Sequence, residues 1–164
     1  MIGRLYRHLY ILSAIALALA APSAKAQEAG HDVCQDVGAS APEPLGDREG
    51  HAITTGLFSC RVTEGLLAGA VETGNGIWEW DGTKATQLSG NGVARRPGAI
   101  LSFQALDGKL ELTMSEGKPT GWTASGHTAV NLAAGGAASM MGKTATWTAK
   151  STGPFQFEIN YTFK

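Results

Sequence analysis

The sequence has few charged residues and no excess of basic ones. Only 16% of its 164 residues are charged, and the formal net charge at pH 7 is −1. Proteins that bind nucleic acid need a clustered basic surface to neutralise phosphates. We therefore predict no nucleic-acid partner, and we interpret the one adjacent basic pair, Arg95 and Arg96, as a solvated strand end.

Helical periodicity is also lacking. No heptad repeat and no long apolar stripe with a 3.6-residue period occurs after residue 26, which argues against a coiled coil or a helical bundle. Glycine is instead abundant, with 22 residues, and Thr and Ala make up much of the rest. This composition predicts a β-rich chain with many turns.

Residues 1–26 have the pattern of a secretory signal peptide. Arg4 and Arg7 precede an apolar run over 10–20, and Ala24-Lys25-Ala26 then provides a small-residue cleavage site. The apolar run is too short to span a bilayer well. We therefore expect an exported protein, periplasmic or extracellular, that retains no stable membrane anchor after cleavage.

The chain has only two cysteines, Cys34 and Cys60. Two cysteines in an exported chain most simply form one disulfide, and closing a loop of this size stabilises the folded state by roughly 3 kcal/mol. Two free thiols, or pairing with another chain, are the alternatives. The cysteines lack a Cys/His set at zinc spacing, so we predict no metal site and no cofactor.

The exported part divides into an acidic leader, 27–49, and a domain, 50–164. The leader is interrupted by prolines and glycines, lacks apolar periodicity and is predicted to be irregular. The domain carries almost equal numbers of basic and acidic side chains. In the leader, Arg48 is the one basic residue, against six acids: Glu28, Asp32, Asp36, Glu43, Asp47 and Glu49.

The domain is predicted to be all-β. Between Phe155 and Phe163 aromatic and aliphatic residues alternate with polar ones, which is typical of a half-buried strand. Asp81-Gly82 and Asp107-Gly108 favour tight hairpin turns. Successive short hairpins predict an eight-stranded antiparallel up-and-down barrel, with a β-sandwich as the alternative. We expect strands near 51–63, 70–80, 83–96, 99–106, 109–115, 120–133, 143–150 and 155–163.

Glycines also occur inside the predicted strands, as in 73–76, 89–92 and 125–126. Glycine within a strand marks a bulge or a sharp bend at a barrel corner. A Gly-x-Gly pair can also bind phosphate, but no helix follows these pairs, so the dinucleotide-binding interpretation lacks its structural context.

No catalytic set can be assigned. The histidines His31, His51 and His127 are interpreted as surface or capping residues. Glu79 lies between two tryptophans, so it would be an interior acid only if both indoles faced outward. Aromatic residues with a polar group suit the mouth of a ligand pocket, although core packing is the alternative. The candidate ligand-binding residues are Trp78, Trp80, Trp122 and Trp147.

The order of features resembles the allene oxide cyclase-like barrels, including secreted bacterial members. The features that carry this resemblance are glycine-rich strand bends, the segment AGGAASMMGKTATW over 134–147, and the aromatic closing strand 155–163. Here Ala137-Ala138 stands where the family pattern has Thr-Gly, and no catalytic residue of the cyclase can be placed. The resemblance implies a barrel with a cavity, not an activity.

The sequence leaves three hypotheses for function. The first is a non-catalytic barrel that binds a small apolar or amphipathic molecule. The second is an isomerase- or cyclase-like enzyme that uses the barrel cavity, and the third is an envelope protein-interaction module. We favour the first, because the chain offers apolar pocket residues but no convincing acid, base or nucleophile. The orientation of Trp78 and Trp80 distinguishes these hypotheses. Inward indoles around a cavity favour the first two, and exposed aromatic residues favour the third.

Overall fold

The computed structural model describes residues 29–38 and 41–164. The predicted signal peptide, 1–26, lies outside the described residues. Within the described part the backbone is mostly extended, and its one helical element is a 3-10 turn over Ala138–Met140. No helix in this part is long and apolar enough to cross a membrane.

The described residues form nine strands joined mainly by short turns. Gly82, Gly98 and Gly117 occupy three of these turns with positive φ angles, and the turn at Gly82 is the one predicted at Asp81-Gly82. The strands are β1 (Ala29–Asp36), β2 (Glu43–Pro44), β3 (His51–Glu64), β4 (Val71–Asp81), β5 (Lys84–Arg96), β6 (Ala99–Ser115), β7 (Lys118–Gly135), β8 (Thr144–Gly153) and β9 (Gln156–Phe163).

Eight of these strands close into an antiparallel barrel. From β3 to β9 each strand pairs with the next along the chain, and β1 pairs with both β9 and β3. The two-residue strand β2 adds to the outside of β3 as a ninth strand. The predicted fold class is confirmed, and closure leaves no long unpaired sheet edge among the eight barrel strands.

The leader differs from its prediction. Residues 29–36 are not irregular but form β1, the strand that completes the barrel. Asp32 and Cys34 are buried, whereas Val33 faces outward. The period of two was hidden because one of the two buried positions is occupied by an acid, which an apolar pattern search does not count.

The predicted turn at Asp107-Gly108 is wrong. Strand β6 continues through it, and the pairing with β7 only shifts register between Ala105 and Asp107. The extra residue, Leu106, is absorbed as a bulge, which inserts one residue without ending the strand. The two predicted strands 99–106 and 109–115 are therefore one, and β1 supplies the eighth strand.

The disulfide between Cys34 and Cys60 is confirmed. The two cysteines are register partners on β1 and β3, with Cα atoms 4.0 Å apart. Since β1 and β3 are the strands whose pairing closes the barrel, the bond links the leader covalently to the domain at that seam.

The barrel has one closed and one open end. Side chains from the 3-10 turn and the β3–β4 loop, including Met140 and Leu67, pack against Leu101 and Val130 and fill the closed end. At the other end of the strands, the segment 41–50 runs along the rim. The molecule is thus a cup whose interior is reached from the rim side.

Glycines inside the strands let large side chains lie flat against the barrel wall. A Cβ atom at Gly74 would lie 2.5 Å from the Phe58 ring and 2.7 Å from the carbonyl oxygen of Asn91. A Cβ at Gly126 would lie 2.8 Å from the Trp147 ring. These glycines provide close approach of rings to backbone rather than a binding loop.

Candidate functional site

The interior of the barrel contains a cavity of about 800 Å³ that opens at the rim. Its wall is mainly apolar and aromatic, built from the inward positions of the strands. The residues that contribute the largest side chains to the wall are Phe58, Trp78, Trp80, Phe103, Leu110, Leu112, Trp122, Trp147, Phe157, Ile159 and Tyr161.

All four tryptophans predicted as ligand-binding residues line this cavity. Trp78 and Trp80 lie two residues apart on β4 and share its inward face. Trp80 donates its Nε1–H to Thr54 Oγ1 at 2.7 Å, which fixes the ring at the wall. Trp122 packs against Phe157 with ring centroids 5.4 Å apart. The structure thus brings together indoles from three separate strands.

Glu79 lies on the outer surface. Its side chain is 42% exposed and accepts a hydrogen bond from His51 Nε2 at 2.8 Å. Because both neighbouring indoles face inward, strand alternation directs this carboxylate outward. Glu79 therefore cannot act on a molecule in the cavity.

A cluster of charged residues holds the segment 41–50 at the rim. His51 contacts Asp47 Oδ1 through Nδ1 at 2.5 Å and Glu79 Oε1 through Nε2 at 2.8 Å. Both ring nitrogens can donate only when the imidazole is protonated. The hydrogen bonds to Asp47 and then to Glu79 accordingly raise the pKa of His51 above its ordinary value of 6.5. Arg48 adds an ion pair with Asp47 at 3.2 Å.

The other two described histidines lie away from the cavity. His31 Nδ1 is 2.6 Å from Thr63 Oγ1, and its Nε2 is 3.9 Å from Glu158. His127 contacts the carboxylate of Asp107 beside the bulge in β6, with Nδ1 2.9 Å from Oδ2. These contacts tie neighbouring strands together and bring no imidazole to the cavity wall.

Sequence reasoning missed the polar group at the closed end, which consists of Asp32, Glu72 and Tyr161. Asp32 is 2% exposed and Glu72 4% exposed, and the Tyr161 hydroxyl donates to Glu72 Oε1 at 3.4 Å. Burial raises the pKa of Asp32 to about 6 and raises that of Glu72 well above its ordinary value, the Asp32 charge adding to the second effect.

Strand parity could have identified part of this group. Glu72 is an even-numbered residue of β4, as are Trp78 and Trp80, so inward indoles imply an inward Glu72. Asp32 carried no such signal, because it lies in the segment predicted to be irregular. Tyr161 was recognised only as part of the aromatic face of the last strand.

The closed-end acids also lie near a cysteine sulfur. Carboxylate oxygens of Asp32 and Glu72 and the Sγ atom of Cys60 all lie within 4.8 Å of one another. The sulfur is engaged in the disulfide with Cys34 and is not available as a thiolate ligand. This cluster therefore offers a metal ion only two carboxylates.

Comparison with known proteins gives no match: no protein-family model, no curated protein and no solved structure is significantly similar to the chain.

Proposed function

We propose that the protein is an exported barrel that binds a small apolar or amphipathic molecule in its interior. The observation that carries the proposal is the cavity of about 800 Å³, open at the rim and lined by four indoles. Protein pockets for small molecules commonly enclose several hundred cubic ångströms, with mainly apolar walls and a few polar groups.

Polar side chains lie among the apolar ones in the cavity wall, and the charged ones are mostly at the rim. Gln87 and Thr128 line the cavity, and the amide oxygen Oε1 of Gln87 is buried without a hydrogen-bond partner among the described residues. A buried acceptor of this kind favours a ligand that donates one hydrogen bond while the rest of its surface contacts rings. This pattern supports an amphipathic ligand over a pure hydrocarbon.

Export is the second part of the proposal. The disulfide is compatible with an oxidising compartment, and the signal-peptide pattern of residues 1–26 predicts delivery to one. A cavity-bearing barrel is also what the resemblance to the allene oxide cyclase-like proteins implies, and membership of that group stays a proposal. Inward-facing indoles favour the ligand-based hypotheses over a surface-interaction module.

Tryptophan fluorescence tests the proposal, because the four indoles report on the cavity. Protein starting at residue 27 would be titrated with dodecanol and with dodecanoate below their aggregation concentrations. Gly56→Phe serves as a blocked variant, since Gly56 lines the cavity and a Cβ there meets no atom within 4 Å. Thr55→Phe, on the exposed outer face, is its matched control.

We expect saturable fluorescence changes and a raised melting temperature for wild type and Thr55→Phe, because a ligand that binds the native state stabilises it. Gly56→Phe should bind at least about tenfold more weakly, since its ring occupies the space of the ligand. Equal binding by the blocked variant would show that the probes bind elsewhere. No response to either probe or to a wider lipid panel would contradict the proposal.

A further inference from the structure

We propose that the closed end of the barrel is a binding site for an ammonium group, so that the ligand of the cavity is an amphipathic amine. This inference rests on the proposed function and names the chemistry of one end of its ligand. The groups that would hold the ammonium are the carboxylates of Asp32 and Glu72 and the hydroxyl of Tyr161.

The first observation is an unpartnered acceptor. Asp32 is 2% exposed, and although its carboxyl shares a hydrogen bond with that of Glu72, its Oδ2 atom has no hydrogen-bond partner within the described part of the chain. Buried carboxylate oxygens are otherwise satisfied by donors, because an unmade hydrogen bond leaves the desolvation of the charged group uncompensated. An ammonium group carries three N–H donors and no acceptor, which is the complement of this site.

The second observation is an uncompensated charge. No Lys or Arg side chain in the described ranges forms an ion pair with Asp32 or Glu72, and His31 is the one cationic group that lowers the pKa of Asp32. With a pKa of about 6, Asp32 is mostly ionised at neutral pH, whereas burial and the Asp32 charge raise the pKa of Glu72 well above its ordinary value. The charge on Asp32 thus has no salt bridge to a lysine or arginine within the described ranges.

The third observation is space of the right size. A small cavity of about 50 Å³ is bounded by Asp32, Glu72 and Tyr161, with apolar side chains such as Leu101 and Met140 around it. This volume suits an ammonium group or one or two water molecules. Phe103, Thr128 and Tyr161 line both this cavity and the large one, so they form the shared wall between them.

The composition of the site favours an amine over a divalent metal ion. Calcium takes six to eight oxygen ligands and magnesium keeps several waters, whereas this site offers two carboxylates and one hydroxyl within apolar walls. Apolar walls suit the methylene next to an amine nitrogen. The ligand would place its tail among the indoles and pass its amine between Phe103, Thr128 and Tyr161 into the small cavity.

The test compares dodecylamine, dodecanol and dodecanoate as probes on one cavity at pH 7.5. Asp32→Asn/Glu72→Gln removes both carboxyl groups, and Glu111→Gln, which removes an exposed acid on the outer face of β6, is the control. Fluorescence titration gives the affinities. We expect dodecylamine to bind wild type and Glu111→Gln about tenfold more tightly than dodecanol, with dodecanoate weakest. The double variant should lose that preference.

The wild-type protein provides a second measurement that needs no folded variant. At pH 5 Asp32 is mostly protonated, the raised pKa of Glu72 favours its protonated form, Tyr161 is neutral, and the amine stays protonated. His31 is the other ionisable side chain near Asp32. The preference for dodecylamine should therefore fall several-fold between pH 7.5 and pH 5. A pH-independent preference, or equal binding of all three probes, would overturn the inference and leave the proposed function intact. Binding of none of them would refute the proposed function itself.

Discussion

The acidic side chains at the two ends of the barrel differ in their burial and in their partners. At the rim, Asp47 and Glu79 both contact His51, and Arg48 lies near Asp47 and Asp81. At the closed end, Asp32 and Glu72 are more deeply buried and have neither a lysine nor an arginine partner among the described residues. The rim acids therefore serve to hold a segment in place, whereas the closed-end acids reduce stability.

Natural proteins rarely bury an unpaired charge without a use for it, because its desolvation is not offset in the folded state. Strained or unsatisfied groups concentrate at functional sites for this reason. The contrast between the ends thus indicates which acidic group is structural and which is available to a ligand.

The largest expected effect concerns the disulfide that joins β1 to β3, where the barrel closes. Replacing both cysteines, in Cys34→Ser/Cys60→Ser, should lower the free energy of unfolding by about 3 kcal/mol, because the bond closes a loop of 26 residues. Chemical denaturation of the two proteins measures the loss. Before reduction, wild type should show no alkylatable thiol by intact mass, and two such thiols would contradict the bond.

Next in size is the closed-end acid itself. Asp32 binds its proton more tightly in the folded state, with a pKa of about 6 against 3.8 ordinarily, so its contribution to stability is lost as pH rises between those values. Asp32→Asn should therefore match wild type near pH 4 and exceed its free energy of unfolding by about 2 kcal/mol at pH 7.5. Urea denaturation at both pH values checks this.

Asp81→Asn is the control at the rim, since Asp81 is 77% exposed in its side chain. Asp81→Asn removes a charge from the surface, whereas Asp32→Asn removes one from the interior. We therefore expect Asp81→Asn to change the free energy of unfolding by close to zero at both pH values. If Asp32→Asn destabilised the protein at pH 7.5, the contrast between the ends would be wrong.

The third prediction concerns glycines in the strands of the barrel wall, between its two ends. Gly74→Ala should cost about 1 to 2 kcal/mol, because its Cβ would meet the carbonyl oxygen of Asn91 at 2.7 Å, and backbone cannot move aside cheaply. Gly56→Ala faces open space and should change stability by less than about 0.5 kcal/mol. Thermal unfolding of the pair checks the prediction, and equal effects would contradict the described wall.

The smallest effect lies at the rim. The pKa of His51 is raised in the folded state, so the contribution of its charged form is present below pH 6.5 and is lost as pH rises through the raised pKa. Trypsin cleavage after Arg48 should accordingly become faster with rising pH, relative to cleavage after Lys84, the exposed first residue of β5. His51→Gln should make cleavage after Arg48 fast at every pH. If the ratio of the two cleavage rates does not change with pH in wild type, His51 does not hold the segment.

Much of the fold could be predicted from the sequence because its signals are local. The alternation of β9 and the Asp81-Gly82 turn depend on neighbouring residues, and the disulfide depends on there being only two cysteines. The continuity of β6 could not be predicted, because Asp107-Gly108 suits a bulge as well as a turn. What decides between them is the pairing with Gly126, which lies far away in sequence.

The residues of the candidate site were likewise predictable only in part. The four tryptophans were found because aromatic residues are conspicuous, and their inward orientation then followed from one strand's parity. Asp32 and Glu72 were missed because their proximity depends on β1 joining the barrel beside β3. Acidic residues in a short polar leader give no local indication that they are buried.

The most direct test of the central claim is the carboxyl ¹³C titration of Asp32 and Glu72 by NMR, with and without bound dodecylamine. We predict that free protein shows Asp32 with a pKa of about 6 and Glu72 well above its ordinary value. Bound amine should lower both pKa values, because a cation favours the ionised carboxylates. Two carboxyls that titrate near their ordinary values and do not respond to the amine would contradict the account.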